Sequence, residues 1–267
     1  MTVPALAPAE GVTLSGSYDL LITFLLVMAR IMAFLVIAPP FNGRGVPMRV
    51  KGALAGAVAL AVSPGLAGTA RFDDMFTLAW AVVYQLGTGA VLGFLALLLM
   101  SAVQTAGDLV DLFSMFTMSQ LLDPMSNTQS GVFGRIQNLV GTTLLFASGG
   151  HLIMIQGLLR GFRVAPLQPP ALGEAAERLV RNLGTYLVSA LEICGPIVAV
   201  LVLADIALGL VSRAVPSLNI FQLAFPVKTV LTVSLASIAV ALLPGAVAAL
   251  VDRVALDMGV LTRLLGG

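Results

Sequence analysis

Four ionisable side chains, Arg30, Glu192, Asp205 and Lys228, lie inside long apolar runs of this chain. Charge is costly in such surroundings and points to function by default. The chemistry open to these groups is ion or proton transfer, with Glu192 and Asp205 as carriers and Lys228 or Arg30 as counter-ions. The competing reading, weightier on the residues alone, is that they pair across helices in a protein-lined interior. Glu192 and Asp205 are thirteen residues apart. That puts them toward opposite ends of one helix, a poor geometry for a shared coordination site.

No enzyme constellation is present. The only histidine, His151, follows Gly149-Gly150 and has no Cys, Asp or Glu close to it in sequence. A structural hydrogen-bonding role outweighs a metal ligand or a triad member. The single cysteine, Cys194, lies in an apolar stretch and reads as a small buried side chain. Phosphate-cradling glycine loops and a nucleophile-elbow serine are missing, so neither enzyme activity nor a cofactor or metal is expected.

A second candidate is the stretch 112–131, LFSMFTMSQLLDPMSNTQSG. Phe113, Met115, Phe116 and Met118 cluster there, and Asp123-Pro124 breaks the run into a polar stretch. Thioether side chains adapt to varied surfaces, as a constriction must if it seals when empty yet admits unrelated polypeptides. A re-entrant or interfacial loop that simply packs is the plainer alternative.

These residues must be positioned by membrane helices. The chain has 267 residues, 58% hydrophobic and only 10% charged, with a mean hydropathy of +1.02. Soluble domains carry about 25% charged residues, so this chain could not cover a globular surface by itself. A net charge of +1 argues against nucleic acid or another polyanion as partner. Apolar runs fall at 20–38, 53–66, 76–103, 132–159, 186–211 and 223–250. A span needs about 20 apolar residues, so the second run, broken by Pro64, is the weakest of six expected helical segments. Residues 1–18 lack a basic leader region, and the first run is expected to be a retained helix.

Residues 171–183 are expected to form a small amphipathic helix at an interface, with Leu172, Ala176, Leu179, Val180 and Leu183 on one face. Glu174/Arg178 and Glu177/Arg181 would be its i,i+4 pairs. Gly52/Gly56, Gly89/Gly93 and Gly157/Gly161 have the spacing that lets helix backbones approach. Lys and Arg divide seven against six between the two sides of a six-span layout, so the positive-inside rule gives no orientation. Helices packed inside a protein assembly need not obey it.

The stretch from 205 to 228, DIALGLVSRAVPSLNIFQLAFPVK, resembles the signature of the FliR family and its virulence-secretion counterparts. Asp205, Gly209, Ser212, Arg213, Pro216, Asn219, Phe221, Pro226 and Lys228 carry the match. Arg30, Pro39, Gly43, Pro47 and Arg49 match the first helix and its following link, and Gly89, Gly93 and Phe94 the third. Ala106-Gly107 and Asp123-Pro124 bracket the loop, and Gly149-Gly150-His151 match the next helix. Two departures stand out. Gln85 replaces a common glutamate, so no ionic role is expected there. Phe113-Ser114-Met115 stands where the family usually has Gln-x-Gly.

The resemblance implies an all-α polytopic membrane protein of about six hydrophobic segments in bent hairpins, built into a helically arranged export gate. It implies a FliP-like part, 1–183, and a FliQ-like part, 184–267. FliP, FliQ and FlhB would be its partners, and unfolded flagellar proteins its cargo, in the bacterial cytoplasmic membrane at the centre of the basal body. It also implies a channel plug at 113–131, carried by Phe113, Met115, Phe116, Met118, Asp123 and Pro124. Arg30, Pro39, Pro47, Gly89, Gly93, Asp205, Arg213, Pro216, Asn219, Phe221 and Lys228 would serve structure and assembly. The alternatives are a virulence-type secretion subunit and a secondary transporter using Glu192, Asp205 and Lys228. The second would show inverted repeats, and none is visible.

Overall fold

The computed structural model describes residues 14–43, 45–68, 74–116, 131–164, 167, 173–217 and 219–266. Among the described residues all regular structure is helical: α1 (Leu14–Ile37), α2 (Met48–Val62), a short 3-10 turn (Ser63–Gly65), α3 (Met75–Phe113), α4 (Val132–Ala147), α5 (Gly150–Val164), α6 (Gly173–Ala214) and α7 (Ile220–Gly266). The family-implied all-α, multi-span architecture is what the chain adopts.

Helices α1, α3, α6 and α7 are long and apolar enough to cross a membrane, and α4 with α5 make a bent fifth candidate. The second apolar run forms α2, only 15 residues long and too short to span as a helix. Pro64 takes its place in the 3-10 turn that ends it. The fourth run, expected as one segment, bends by 67° between α4 and α5. Gly149 makes that bend with φ +72°, a left-handed conformation that glycine adopts without penalty. The Ser148 and Gly149 amides donate to the carbonyls of Leu144 and Phe146, at 2.8 and 3.1 Å.

The expected amphipathic helix at 171–183 is not a separate element. From Gly173 it is the beginning of the 42-residue α6, because nothing between 173 and 195 interrupts helix formation. Within it Val180 is 71% exposed and Leu183 42%, while Asn182 is buried. Arg181 pairs with Glu177, but Arg178 pairs with Asp257 of α7 at 3.1 Å.

The chain divides into two compact units, one of residues 1–94, 158–172 and 262–267, the other of 95–157 and 173–261. In the first, the Arg30 guanidinium is fully buried. Its Nε donates to Gln85 Oε1 at 2.6 Å and its Nη1 to the Gly161 carbonyl at 3.4 Å. The Phe162 ring lies 4.5 Å from it, a cation–π contact that dehydration strengthens. Gln85 then donates to the Leu167 carbonyl at 3.1 Å. The amide thus links a buried cation to a main-chain acceptor. Helix α1 approaches α3 closely enough that a Cβ on Gly89 would overlap the Arg30 carbonyl oxygen, while one on Gly93 would press on Phe34 at 3.1 Å. Of the three glycine pairs, Gly52/Gly56 has no atom within 4 Å of either added Cβ and serves no close approach here.

In the second unit, Ala106 and Val110 of α3 pack with Cys194, Ile197 and Leu201 of α6 and Ala239 of α7, with Phe113 and Phe133 at the margin. Cys194 is buried there. A Cβ on Gly157 would lie 3.0 Å from the Met258 Sδ.

Gly89→Ala should destabilise the protein by about 1–3 kcal/mol, the range for overpacking a tight contact. Gly52→Ala should be neutral or stabilising by up to about 1 kcal/mol through helix propensity. Thermal unfolding of the two variants in detergent checks this; equal melting points would disprove the close α1–α3 approach.

Candidate functional site

The site forms where α3 ends and α4 begins, on either side of the 114–130 stretch. Both helix ends face the same difficulty: the last carbonyls of one and the first amides of the other have no partner within their own helix. Neither end has a local charged cap. Helix α3 has no basic residue in its last turn, and Gly131 before α4 offers no side chain.

Charges from distant elements fill both gaps. Lys228 of α7 is only 4% exposed, and its Nζ donates to the Phe113 carbonyl at 3.0 Å. It also forms an ion pair with Asp205 of α6. A cation there meets the negative end of the α3 dipole. At the other end, Asp111 is fully buried and accepts the Phe133 amide at 3.1 Å on Oδ1 and the Gly134 amide at 2.9 Å on Oδ2. A carboxylate at a helix N-terminus satisfies two unpaired donors and the positive dipole end together.

Glycines make this clasp possible. A Cβ on Gly131 would overlap the Asp111 carboxylate and one on Gly134 the Asp108 carboxylate; one on Gly107 would lie 2.7 Å from the Gly134 Cα. Further along α4, Asn138 donates to Gln104 of α3 at 3.1 Å. The α3–α4 seam is therefore polar at intervals and without side chains where the carboxylates enter.

Beyond the last helical residue, the Ser114 amide donates to the Val110 carbonyl at 2.9 Å and its hydroxyl to the Asp111 carbonyl at 3.1 Å. Met115 follows with φ +67°. A side chain in this left-handed region costs roughly 1–2 kcal/mol, which glycine avoids. Phe116 packs its ring on Phe133 of α4, centroids 5.6 Å apart.

Of the residues expected to form a plug, the structure gathers Phe113, Met115 and Phe116 at this root, together with Asp205 and Lys228. Met118, Asp123 and Pro124 lie outside the described residues. Arg213, Pro216 and Asn219 are exposed in and beside the α6–α7 turn. The Asn219 carbonyl accepts the Gln222 amide at 3.1 Å, an early bond of α7. The Phe221 side chain is outside the described set. Pro39 is buried after α1 and Pro47 exposed before α2. His151 is corrected: its Nδ1 has no hydrogen-bond partner among the described residues. Its ring packs on Phe146 instead, at 4.9 Å across the α4–α5 bend.

Asp108, Asp111, Gly131 and Gly134 were not singled out from sequence. A signal existed: two aspartates in the last six residues of α3 oppose that helix's own dipole, so they must serve another element. The arrangement has no reacting group. Among the described residues no three His, Cys, Asp or Glu side chains come close enough to hold a metal ion. What the site can do is fix the position and direction of the chain that leaves α3.

Asp111→Asn should destabilise by about 1.5–3 kcal/mol, the worth of hydrogen bonds to a charged group, because one amide oxygen cannot serve both donors. Amide exchange should speed up at Phe133 and Gly134. Lys228→Met should also destabilise, and adding Asp205→Asn should recover part of the loss if the two couple. Additive losses in that double-mutant cycle would refute the coupling.

Residues 21–254 match the sequence profile of a family described as bacterial export proteins, family 1. The chain is 31% identical over 209 residues to the flagellar biosynthetic protein FliR of Escherichia coli K12, covering 78% of this chain and 80% of that one. It is 29% identical over 216 residues to FliR of Bacillus subtilis, at 79% and 83% coverage. It is also 29% identical over 216 residues to the Yop proteins translocation protein T of Yersinia pestis, at 78% and 82%. With the match running from within α1 into α7, the chain belongs to family 1 of the bacterial export proteins.

Proposed function

We propose that this protein is a non-enzymatic subunit of the flagellar type III export gate, helping to form the channel that passes unfolded flagellar proteins across the cytoplasmic membrane. The observation that carries the reading beyond family membership is the uncovered helix surface and the charges set in it. The most apolar window of α3 is 61% buried within the chain, but those of α6 and α7 only 17% and 22%. Exposed large apolar side chains on α7 run from Leu223 to Leu242 and resume at Leu256 and Val260, with Asp252 and Arg253 exposed between them. Lipid alone is a poor match for an exposed face broken by charge, and neighbouring subunits are the natural cover. Glu192 and Asp205 on the exposed side of α6 favour protein neighbours for the same reason, since hydrocarbon penalises charge.

FliP and FliQ are the proposed neighbours and FlhB a further partner, with 1–183 as the FliP-like and 184–267 as the FliQ-like part. The closing element of the channel is proposed to start at Phe113, Met115 and Phe116, its root fixed by Lys228 and Asp111. Driving energy would come from partners and the proton-motive force. The virulence-secretion alternative draws on the similarity to the Yersinia protein; Pro226 immediately before Val227-Lys228 gives a slight preference for the flagellar form.

Deleting the gene should abolish secretion of rod and hook proteins and with it motility; a fully flagellated deletion strain would eliminate the proposal. Loss of host-directed secretion with flagella intact would select the virulence reading. Phe113→Ala combined with Phe116→Ala should raise the ion conductance of the assembled gate, and unchanged conductance would count against the closing element.

A further inference from the structure

Helices α6 and α7 leave a cavity of about 230 Å³ between them. Numbers rise along α6 as they fall along α7 where the two touch: Arg178 meets Asp257, and Ser189 meets Arg253. The helices are therefore antiparallel here. Glu177, Arg178 and Arg181 of α6 share one end of the pair with Asp252, Arg253 and Asp257 of α7. Toward the other end the exposed large side chains are apolar, Val202 and Leu203 on α6 and Ile238 and Leu242 on α7. The cavity straddles the change. Ser189, Glu192 and Arg253 line its charged side, and Ile193, Pro196, Leu242 and Ala246 its apolar side.

The charged side holds two opposite charges that do not satisfy each other. Glu192 and Arg253 are both exposed, and neither joins an ion pair among the described residues. Side chains lean toward the N-terminus of their own helix. In an antiparallel pair Glu192 thus leans toward the charged end and Arg253 toward the apolar one, which brings the two groups toward one level. Arg253 gives its Nη1 to the Ser189 hydroxyl at 3.0 Å, and that hydroxyl donates in turn to the Thr185 carbonyl at 3.2 Å. Ser189 therefore holds the guanidinium in place, with most of its five donors still free to meet a ligand. Pro196, inside α6, has no amide to give to the carbonyl four residues back. The Glu192 carbonyl loses its helical partner, a second acceptor on the turn that carries the carboxylate.

We propose that this cavity binds the headgroup of a phospholipid bearing a primary ammonium, of the phosphatidylethanolamine class. Arg253 takes the phosphate, whose oxygens suit a guanidinium. Glu192 takes the ammonium, which has three donors and no acceptor. The apolar side takes the first methylenes of the chains. The volume suits such partial entry, being below the range of pockets that enclose a whole small molecule. Neighbouring subunits can cover the broad outer faces of α6 and α7, whereas a crevice between two helices of one chain needs an occupant that fits inside it. The inference goes beyond the export reading and does not depend on it.

The test uses the full-length chain, purified in detergent with the subunits that accompany it. Phosphatidylethanolamine, phosphatidylcholine and phosphatidylglycerol of identical acyl chains are titrated, and bound lipid is counted by native mass spectrometry. Phosphatidylethanolamine should bind at least tenfold more tightly than either of the others, since choline has no N–H donor and glycerol no cation. Arg253→Gln and Glu192→Gln should each weaken it at least fivefold, and Glu192→Gln should also narrow its margin over phosphatidylcholine. Ala246→Leu fills the apolar side without removing a charge and should weaken it as well. Arg263→Gln, at an exposed arginine of α7 that does not line the cavity, should change nothing. Equal affinity for the three lipids, or wild-type affinity in both charge variants, overturns the inference. So does binding to the chain alone that is lost in the assembled complex, because a neighbouring subunit then takes the cavity.

Discussion

Two helix ends, one facing the other across the 114–130 stretch, depend on charges supplied from elsewhere in the chain. The carboxyl end of α3 is served by Lys228 and the amino end of α4 by Asp111. In water such ends are capped by solvent or by neighbouring side chains at little penalty. In an apolar setting an unsatisfied backbone group costs several kcal/mol, so the cap must be built in. Drawing it from another helix has a consequence that a local cap would not have. The geometry at the root becomes a tertiary property, tied to the α6–α7 hairpin through Lys228 and to the α3–α4 seam through Asp111.

The two ties differ in exposure. Asp111 is sealed between glycines that admit its carboxylate and little else, so that clasp is closed to outside groups. The Lys228 tie is asymmetric: the lysine side chain is 5% exposed and that of Asp205 47%. Solvent or a neighbouring subunit can reach the carboxylate but not the ammonium. Removing Asp205 leaves a buried cation held only by a main-chain carbonyl, whereas removing Lys228 leaves a carboxylate that can find other partners. Loss of the exposed carboxylate, which strands the buried cation, is therefore the costlier change, and the pair's worth depends on what covers α6.

Much of this was legible in the sequence, for identifiable reasons. Apolar runs separated by turn residues gave the order and rough position of the helical segments, because lipid-length helices announce themselves by composition. Pairing across helices was the weightier reading for Asp205 and Lys228, and those two residues do pair. Three things were hidden. The α4–α5 bend depends on one glycine taking φ +72°, which composition does not reveal. The start of α6 looked like a separate amphipathic helix because its apolar residues share a face, but no break separates it from the rest of the 42-residue α6. The clasp by Asp108 and Asp111 needs partners 22 and 23 residues further on, beyond the reach of any local pattern. Buried Arg30 was visible as an anomaly, while its partner Gln85 was read only as a lost charge. The amide conserves what matters, an acceptor for the guanidinium and a donor for a main-chain carbonyl.

The even division of Lys and Arg between the two sides of a six-span layout follows from the same physics. The positive-inside rule governs loops that flank segments inserted one by one into a bilayer. It presupposes that each apolar segment is a span. Here α2 is too short to be one, the fourth run is bent by 67°, and the exposed face of α7 is broken by Asp252 and Arg253. A layout of six simple spans therefore assigns several basic residues to sides that do not exist. Arg30 is the plainest case: it is fully buried against Gln85, Gly161 and Phe162 and belongs to no loop. The seven-against-six balance is the expected outcome for a chain whose apolar runs are not six simple spans.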